Sequence, residues 1–359
     1  VHFLLYETGC TREQAILIPT SDEMAMLVAD NAELLRQRFI FPVNSPALVH
    51  GLCDKGAMYG LAKACGIPTA TTEFPKCRND VLQYLQTAAF PVMVKGIDGN
   101  LLEARTDKKM VIVHTEEELL QAYDNLEDPL HPNLMLQEYI PGGEDTVWMF
   151  NGYFNGQSEC LAGYTGKKIR QNPVYTGMTS LGVCLKNKTV EETTKQFMKV
   201  LGYRGILDIG YRYDERDGLY KVLDVNPRIG ATFRLFTADN GMDVVRALYL
   251  DLTEQPVNPG SCREGRKWLV EDKDLRSSYR YAIDGRLKFG EWVSSFHGVE
   301  EAGYFSWDDL LPFFAMAALH IKKLFKQLRN GIQRVEKQIR KQVDSIPSLS
   351  KDSIHAIHH

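Results

Sequence analysis

Two acids, a carboxamide and a guanidinium stand close together in the second half of the chain. Asp224-Val225-Asn226-Pro227-Arg228 closes the apolar run Tyr220-Lys221-Val222-Leu223. On an extended strand alternate residues share a face. Asp224 and Asn226 therefore point the same way as two hard oxygen donors, with Arg228 beyond them if the chain stays extended. Upstream, Gly205-Ile206-Leu207-Asp208-Ile209-Gly210-Tyr211 reads as a neighbouring strand carrying one acid in an apolar run. Antiparallel pairing would bring Asp208 beside Asp224. Oxygen donors grouped with a cation suit the chemistry of a magnesium-bound polyphosphate, and the plain alternative is a pair of strand-end acids and a turn proline.

Other segments are suited to serve such a ligand. Phe90-Pro91-Val92-Met93-Val94-Lys95 is a short β-rich run ending in lysine. Lys55 opens a helix that runs to Cys65-Gly66, with the glycine as its stop signal. The span from Leu134 to Trp148 begins as an apolar strand and continues through Gln137-Glu138-Tyr139-Ile140 into a Pro-Gly-Gly turn. An extended backbone strip of that kind can read adenine with one carbonyl and one amide.

Taken in this order, from Asp54 to about Leu252, the segments resemble the ATP-grasp superfamily, in which an acid on one strand and a D/E-x-N-P-R segment on the next hold the magnesium ions of ATP. The resemblance implies an ATP site with Mg2+, or Mn2+, held by Asp208, Asp224 and Asn226, and phosphates held by Lys55 and Lys95. It implies that Gln137, Glu138, Tyr139 and Ile140 form the adenine strip and that Glu144 meets the ribose, with Asp145 its adjacent competitor. Arg228 would meet the transferring phosphoryl group. Gly166-Lys167-Lys168-Ile169-Arg170 offers three more cations, of which Arg170 is the expected bidentate grip on an acyl phosphate or a substrate carboxylate. Tyr175 to Ser180 would line the acceptor site. One stretch departs from the pattern. After Gly96-Ile97-Asp98-Gly99-Asn100 the chain carries charge rather than a glycine-dense loop, so Arg105, Lys108 or Lys109 would replace backbone amides over the γ-phosphate.

The expected architecture is an α/β chain with an α+β ATP-grasp core. Residues 1–50 read as a partial Rossmann-like pre-ATP-grasp domain with its opening strands missing, so an N-terminally incomplete chain is expected. Residues 51–252 read as the ATP-grasp domain of two α+β subdomains, with the hinge at 134–148. Residues 253–343 read as a linker and C-terminal helical extension, and 344–359 as a disordered tail. Ser21, Thr115 and Thr189 are expected helix N-caps, the last with a stop at Gly202, and Asn240-Gly241-Met242 opens a helix through Asp251.

With 359 residues, 44% of them hydrophobic, the chain can bury a sizeable core, and its net charge of −4 gives no nucleic-acid signature. Seven cysteines without CxxC spacing read as reduced thiols of a cytoplasmic protein. Phe313 to Lys341 reads as a long helix, apolar first and then basic at Lys322, Lys323, Lys326 and Arg329. It would pack on the core or rest on an anionic inner-membrane surface. The expected activity is an ADP-forming ligase joining a small-molecule carboxylate to an amine, on amino-acid or cell-envelope precursors. A homodimer is the expected assembly, and no nucleic-acid partner is expected. Two alternatives stay open: a carboxylase-type enzyme using carboxyphosphate, and a non-catalytic ATP-binding regulatory module.

Overall fold

The computed structural model describes residues 14–323 and Arg329. It divides into two compact units, one ending at Glu301 and one starting at Ala302.

In the first unit, β1 (Ala15–Ile16) and β2 (Phe39–Ile40) pair in parallel, as a Rossmann-like β-α-β layer requires. Ser21 caps the intervening helix Asp22–Asp30 by accepting from the Met24 amide, and Asp22 and Glu23 sit in its first turn, where negative charge meets the positive end of the helix dipole. The expected boundary at residue 50 falls inside the helix Pro46–Cys53. Asp54 ends that helix and caps the next, Lys55–Ala64, so no linker separates the first layer from the second.

The strands β3 (Thr72–Glu73), β4 (Val92–Gly96), β5 (Met110–Val113) and β6 (Leu134–Glu138) form a small antiparallel sheet in the order β3-β6-β4-β5. Val92 and Val94 are fully buried against Leu119 and Tyr123 of the helix Glu116–Leu126, each contributing about 1.5–3 kcal/mol. Strand alternation then turns Lys95 to the opposite face. Residues expected to form an irregular charged loop are instead the helix Gly99–Thr106, capped by Asp98. Arg105 donates to the Leu126 and Glu127 carbonyls, and Lys109 pairs with Glu103 at 3.2 Å. Both cations thus have local partners in this structure.

The large sheet comprises β7 (Val147–Phe154), β8 (Cys160–Asn172), β9 (Met178–Cys184), β10 (Gly205–Asp214), β11 (Leu219–Asn226), β12 (Lys267–Leu269) and β13 (Val299–Ala302), in the order β11-β10-β7-β8-β9-β12-β13. The helix Lys188–Leu201 buries Val190, Phe197 and Met198 against Phe150, Phe154, Leu207 and Ile209. Its N-cap is Asn187, not Thr189, and Gly202 ends it in the left-handed conformation at φ 68°. Asp243, rather than Asn240, caps the helix Val244–Leu252.

The span expected to be linker and helical extension is corrected in its first part. β12 pairs with β9, and the helix Glu271–Ile283 packs on β8 and β9. A three-residue strand is too short to show a period in sequence.

In the second unit, residues 311–323 are helical. Lys326 of the expected basic face, and residues 344–359, lie outside the described residues. Among the described residues no helix is long and apolar enough to cross a membrane.

Candidate active site

β10 and β11 meet with Asp208 opposite Asn226 and Gly210 opposite Asp224, so the two acids lie diagonally on one face. Glycine at two positions makes room for them. A Cβ at Gly210 would fall 2.5 Å from an Asp224 carboxylate oxygen, and one at Gly230 would fall 2.3 Å from an Asp208 oxygen. The Asn226 amide donates to Asp224 Oδ2 and to the Asp208 carbonyl, each at 3.1 Å. Arg228 Nη2 donates to Asn226 Oδ1 at 3.0 Å, and its Nε donates to Asp22 Oδ1 at 2.9 Å, which ties this corner to the first helix. Arg228 Nη1 lies 3.9 Å from Asp208 Oδ2. Asn151, fully buried on β7, donates to Asp208 Oδ1 at 2.8 Å. Burial, then the neighbouring Asp224 charge, push Asp208 up to about 6, against Arg228, Asn151 and Lys168, which pull it down.

This donor set fits a hard divalent cation. Two carboxylates held together at a cost to one of them are relieved by positive charge, and Asn226 offers a third oxygen. Its carboxamide oxygen presently faces Arg228, so ligation through it needs a rotation of the amide. Among the described residues no three His, Cys, Asp or Glu side chains form a metal-holding group. The remaining positions around an ion would fall to phosphate oxygens or water.

Lys95 is tied to the strand that carries this corner. Its ammonium donates to Gln137 Oε1 at 2.8 Å, and Gln137 donates in turn to Tyr59 and Thr72 at 2.8 Å each. Tyr59 reaches the Leu223 carbonyl at 2.9 Å, closing a chain of hydrogen bonds from the small sheet to β11. Burial, then the charge of Lys55, push Lys95 down to about 8, while Asp224 opposes them.

The hinge segment differs in detail from its expected form. The Gln137 side chain is buried and positions Lys95. The Glu138 and Tyr139 amides are bonded to the Thr71 and Pro91 carbonyls at 2.9 and 3.2 Å. The Glu138 carboxylate accepts from the Thr71 amide at 3.1 Å and pairs with Arg216 and Lys221. Both cations also hold the fully buried Asp214, whose carboxyl they keep far below the usual carboxylate range. Ile140 follows, with no backbone acceptor for its amide among the described residues. Glu144 opens a single 3-10 turn, Glu144–Thr146, and its side chain lies outside the described residues.

Arg170 is a correction. It is buried in a bidentate ion pair with Asp274, at 2.8 and 2.9 Å, and its third nitrogen donates to Ser295 at 2.9 Å. A bulge explains the turn of the chain. Lys168 lies opposite Gly182 and Arg170 opposite Leu181, so two steps on β8 match one on β9 and Arg170 passes to the other face. Lys168 takes the inner face instead. It donates to the Gly177 carbonyl at 3.2 Å, and burial lowers its pKa while Asp224 and Asp208 raise it. Sequence reading included Lys168 among three cations without singling it out, and it missed Asn151 and Tyr59, whose types carry no distinctive signal.

Over 279 residues the chain is 24% identical to the D-aspartate ligase of Enterococcus faecium (strain Aus0004), covering 74% of this chain and 66% of that protein. Solved structures of similar fold include the L-amino acid ligase from Bacillus licheniformis, at TM-score 0.50 and 15% identity over 68% of this chain and 58% of that one. The fold is that of the ATP-grasp superfamily. The N5-carboxyaminoimidazole ribonucleotide synthetase from Thermus thermophilus scores 0.51 at 14% identity, covering 68% of this chain and 63% of that one. A biotin carboxylase from Campylobacter jejuni scores 0.52 at 14% identity, over 68% and 55%. The chain spans just under two thirds of the length of the D-aspartate ligase. No family model matches.

Proposed function

We propose that the chain is an ATP-dependent, ADP-forming ligase that activates a carboxylate as its acyl phosphate and joins it to an amine. The observation that carries this reading is the hydrogen-bonded chain Lys95–Gln137–Tyr59, which ends on the Leu223 carbonyl of β11, the strand that sets Asp224 and Asn226 beside Asp208. A lysine held near a cluster of oxygen donors suits a triphosphate and its metal. Lys55 and Lys95 hold phosphate oxygens, and Asp208, Asp224 and Asn226 hold Mg2+, which neutralises charge on the triphosphate. The Ile140 amide and the Glu138 carbonyl face adenine.

In the first step a carboxylate oxygen attacks the γ-phosphorus and ADP leaves. Arg228 and Lys168 hold the equatorial oxygens that carry the charge of the transfer. In the second step the amine nitrogen attacks the acyl carbon, phosphate leaves with the bonding pair, and the nitrogen's extra proton passes to the departing phosphate. The similarity to a D-aspartate ligase makes an amino-acid carboxylate the first candidate. The fold shared with a biotin carboxylase and a carboxyaminoimidazole ribonucleotide synthetase supports bicarbonate as a second.

The test is ADP release by purified protein supplied with Mg·ATP and with D-aspartate, other amino acids or bicarbonate, each with and without an amine pool. Hydroxylamine traps acyl phosphate as a hydroxamate. ADP and hydroxamate formation that depend on an amino acid support the ligase. ADP formed with bicarbonate alone selects the carboxylase reading. ATP binding without turnover under every condition refutes both.

A further inference from the structure

Apart from the nucleotide site, the described part of the fold brings two nucleophilic side chains together. Cys184, at the end of β9, is 1% exposed, and Cys262 lies half-buried on the loop that leads into β12. Their sulfurs are 2.9 Å apart although 78 residues separate them in sequence. A bond at about 2.05 Å would need a closing movement of under about 1 Å.

The backbone holds the two residues in place. The Cys184 amide donates to the Arg266 carbonyl at 2.8 Å, and the Gly265 amide donates to the Cys184 carbonyl at 2.9 Å. These rungs fix the loop against the strand beside the two sulfurs. The thiols also differ in character. The hydrogen bond shared with Cys262, then burial, push Cys184 up. The same bond, received by Cys262, pulls it down, helped by the Lys186 charge and opposed by burial and the Glu264 and Glu191 charges. Lys186 itself pairs with Glu264 at 3.7 Å.

We propose that Cys184 and Cys262 form a peroxide-oxidised dithiol, with Cys262 as the attacking thiolate and Cys184 as the resolving thiol. The Cys262 sulfur attacks one oxygen of a hydroperoxide. The O–O bond breaks, the leaving oxygen departs with the electron pair, and a sulfenic acid remains on Cys262. Cys184 sulfur then displaces the sulfenic oxygen, which leaves as water after taking the Cys184 proton, and the S–S bond forms. Two thiols are oxidised and one hydroperoxide is reduced. The more accessible sulfur acts first, and the buried partner lies within reach to resolve it. The bond would staple the end of β9 to the loop that feeds β12.

The experiment treats the reduced full-length protein with hydrogen peroxide, alkylates it after denaturation and digests it with trypsin. Cleavage after Arg170, Lys186, Arg246 and Arg263 isolates each cysteine in its own peptide, 171–186 and 247–263. The expected product is these two peptides joined by a disulfide that dithiothreitol reverses. In Cys184→Ser, dimedone should label Cys262; in Cys262→Ser, Cys184 should stay reduced and alkylatable. Recovery of both native peptides alkylated, at a peroxide dose that oxidises the exposed Cys77, overturns the proposal. Equal dimedone labelling of the remaining cysteine in the two variants overturns the assigned order. A mass spectrum reads each outcome without requiring ligase activity.

Discussion

Asp208→Asn should make the ligand-free protein more stable at neutral pH while removing its response to metal. The folded state raises the Asp208 carboxyl from 3.8 to about 6, chiefly by burial and then by the Asp224 charge. At about 1.4 kcal/mol per unit, holding the anion at pH 7.5 costs on the order of 3 kcal/mol. The direction follows from proton affinity. The folded state binds the proton more tightly than the unfolded chain, so the cost is absent where both are protonated, grows as pH rises from about 4, and is complete above about 6. Asparagine keeps an oxygen to accept from Asn151 and carries no charge. Urea denaturation of both proteins at pH 7.5 and 4.5 should show the variant ahead by about 3 kcal/mol at the higher pH and by about 1 kcal/mol at the lower. Mg·ATP should then stabilise the parent and leave the variant unchanged. A variant no more stable than the parent at pH 7.5, or one with the same advantage at both pH values, would refute the reasoning.

Arg170→Met leaves Asp274 buried and unpaired, so it should lose about 3–5 kcal/mol in urea denaturation, whereas Arg170→Met with Asp274→Leu should recover most of that loss. A single variant that keeps its stability but loses ATP turnover would return Arg170 to the active site. Lys95→Ala should weaken ATP binding in calorimetry more than adenosine binding, because the lysine is proposed to contact phosphates alone; equal losses would make it structural. Gly210→Ala places a Cβ 2.5 Å from the Asp224 oxygen and should displace that carboxylate. The expected result is at least about a tenfold weaker Mn2+ affinity, equivalent to about 1.4 kcal/mol, and unchanged affinity would show that Asp224 does not bind the metal.

The sites legible in the sequence were those whose chemistry depends on residue type and short spacing. Asp224 and Asn226 share a face because a strand alternates, and Lys95 leaves the core because Val92 and Val94 enter it. The pairing register was not legible. Antiparallel pairing does bring Asp208 beside Asp224, but as a diagonal neighbour, with Asp208 opposite Asn226 and Asp224 opposite Gly210, a detail that only the register supplies. The same limit governed Arg170. Alternation puts Lys168 and Arg170 on one face, and nothing in Lys167-Lys168-Ile169-Arg170 announces the bulge that separates them.

Polar partners distant in sequence form the other illegible class. Gln137 belongs to a segment suited to read adenine through its backbone, and its side chain is instead the link between Lys95 and Tyr59. The partner that takes Arg170 away from the cleft, Asp274, lies 104 residues further along, in a span whose strands were too short to recognise. A buried guanidinium requires a paired carboxylate, so the position of Asp274 decides the role of Arg170 as firmly as the bulge does. With Arg170 committed to holding the helix Glu271–Ile283 against β8, Lys168 and Arg228 are the cations that act on Asp208, so the proposed charge for a transferring phosphoryl group rests on those two.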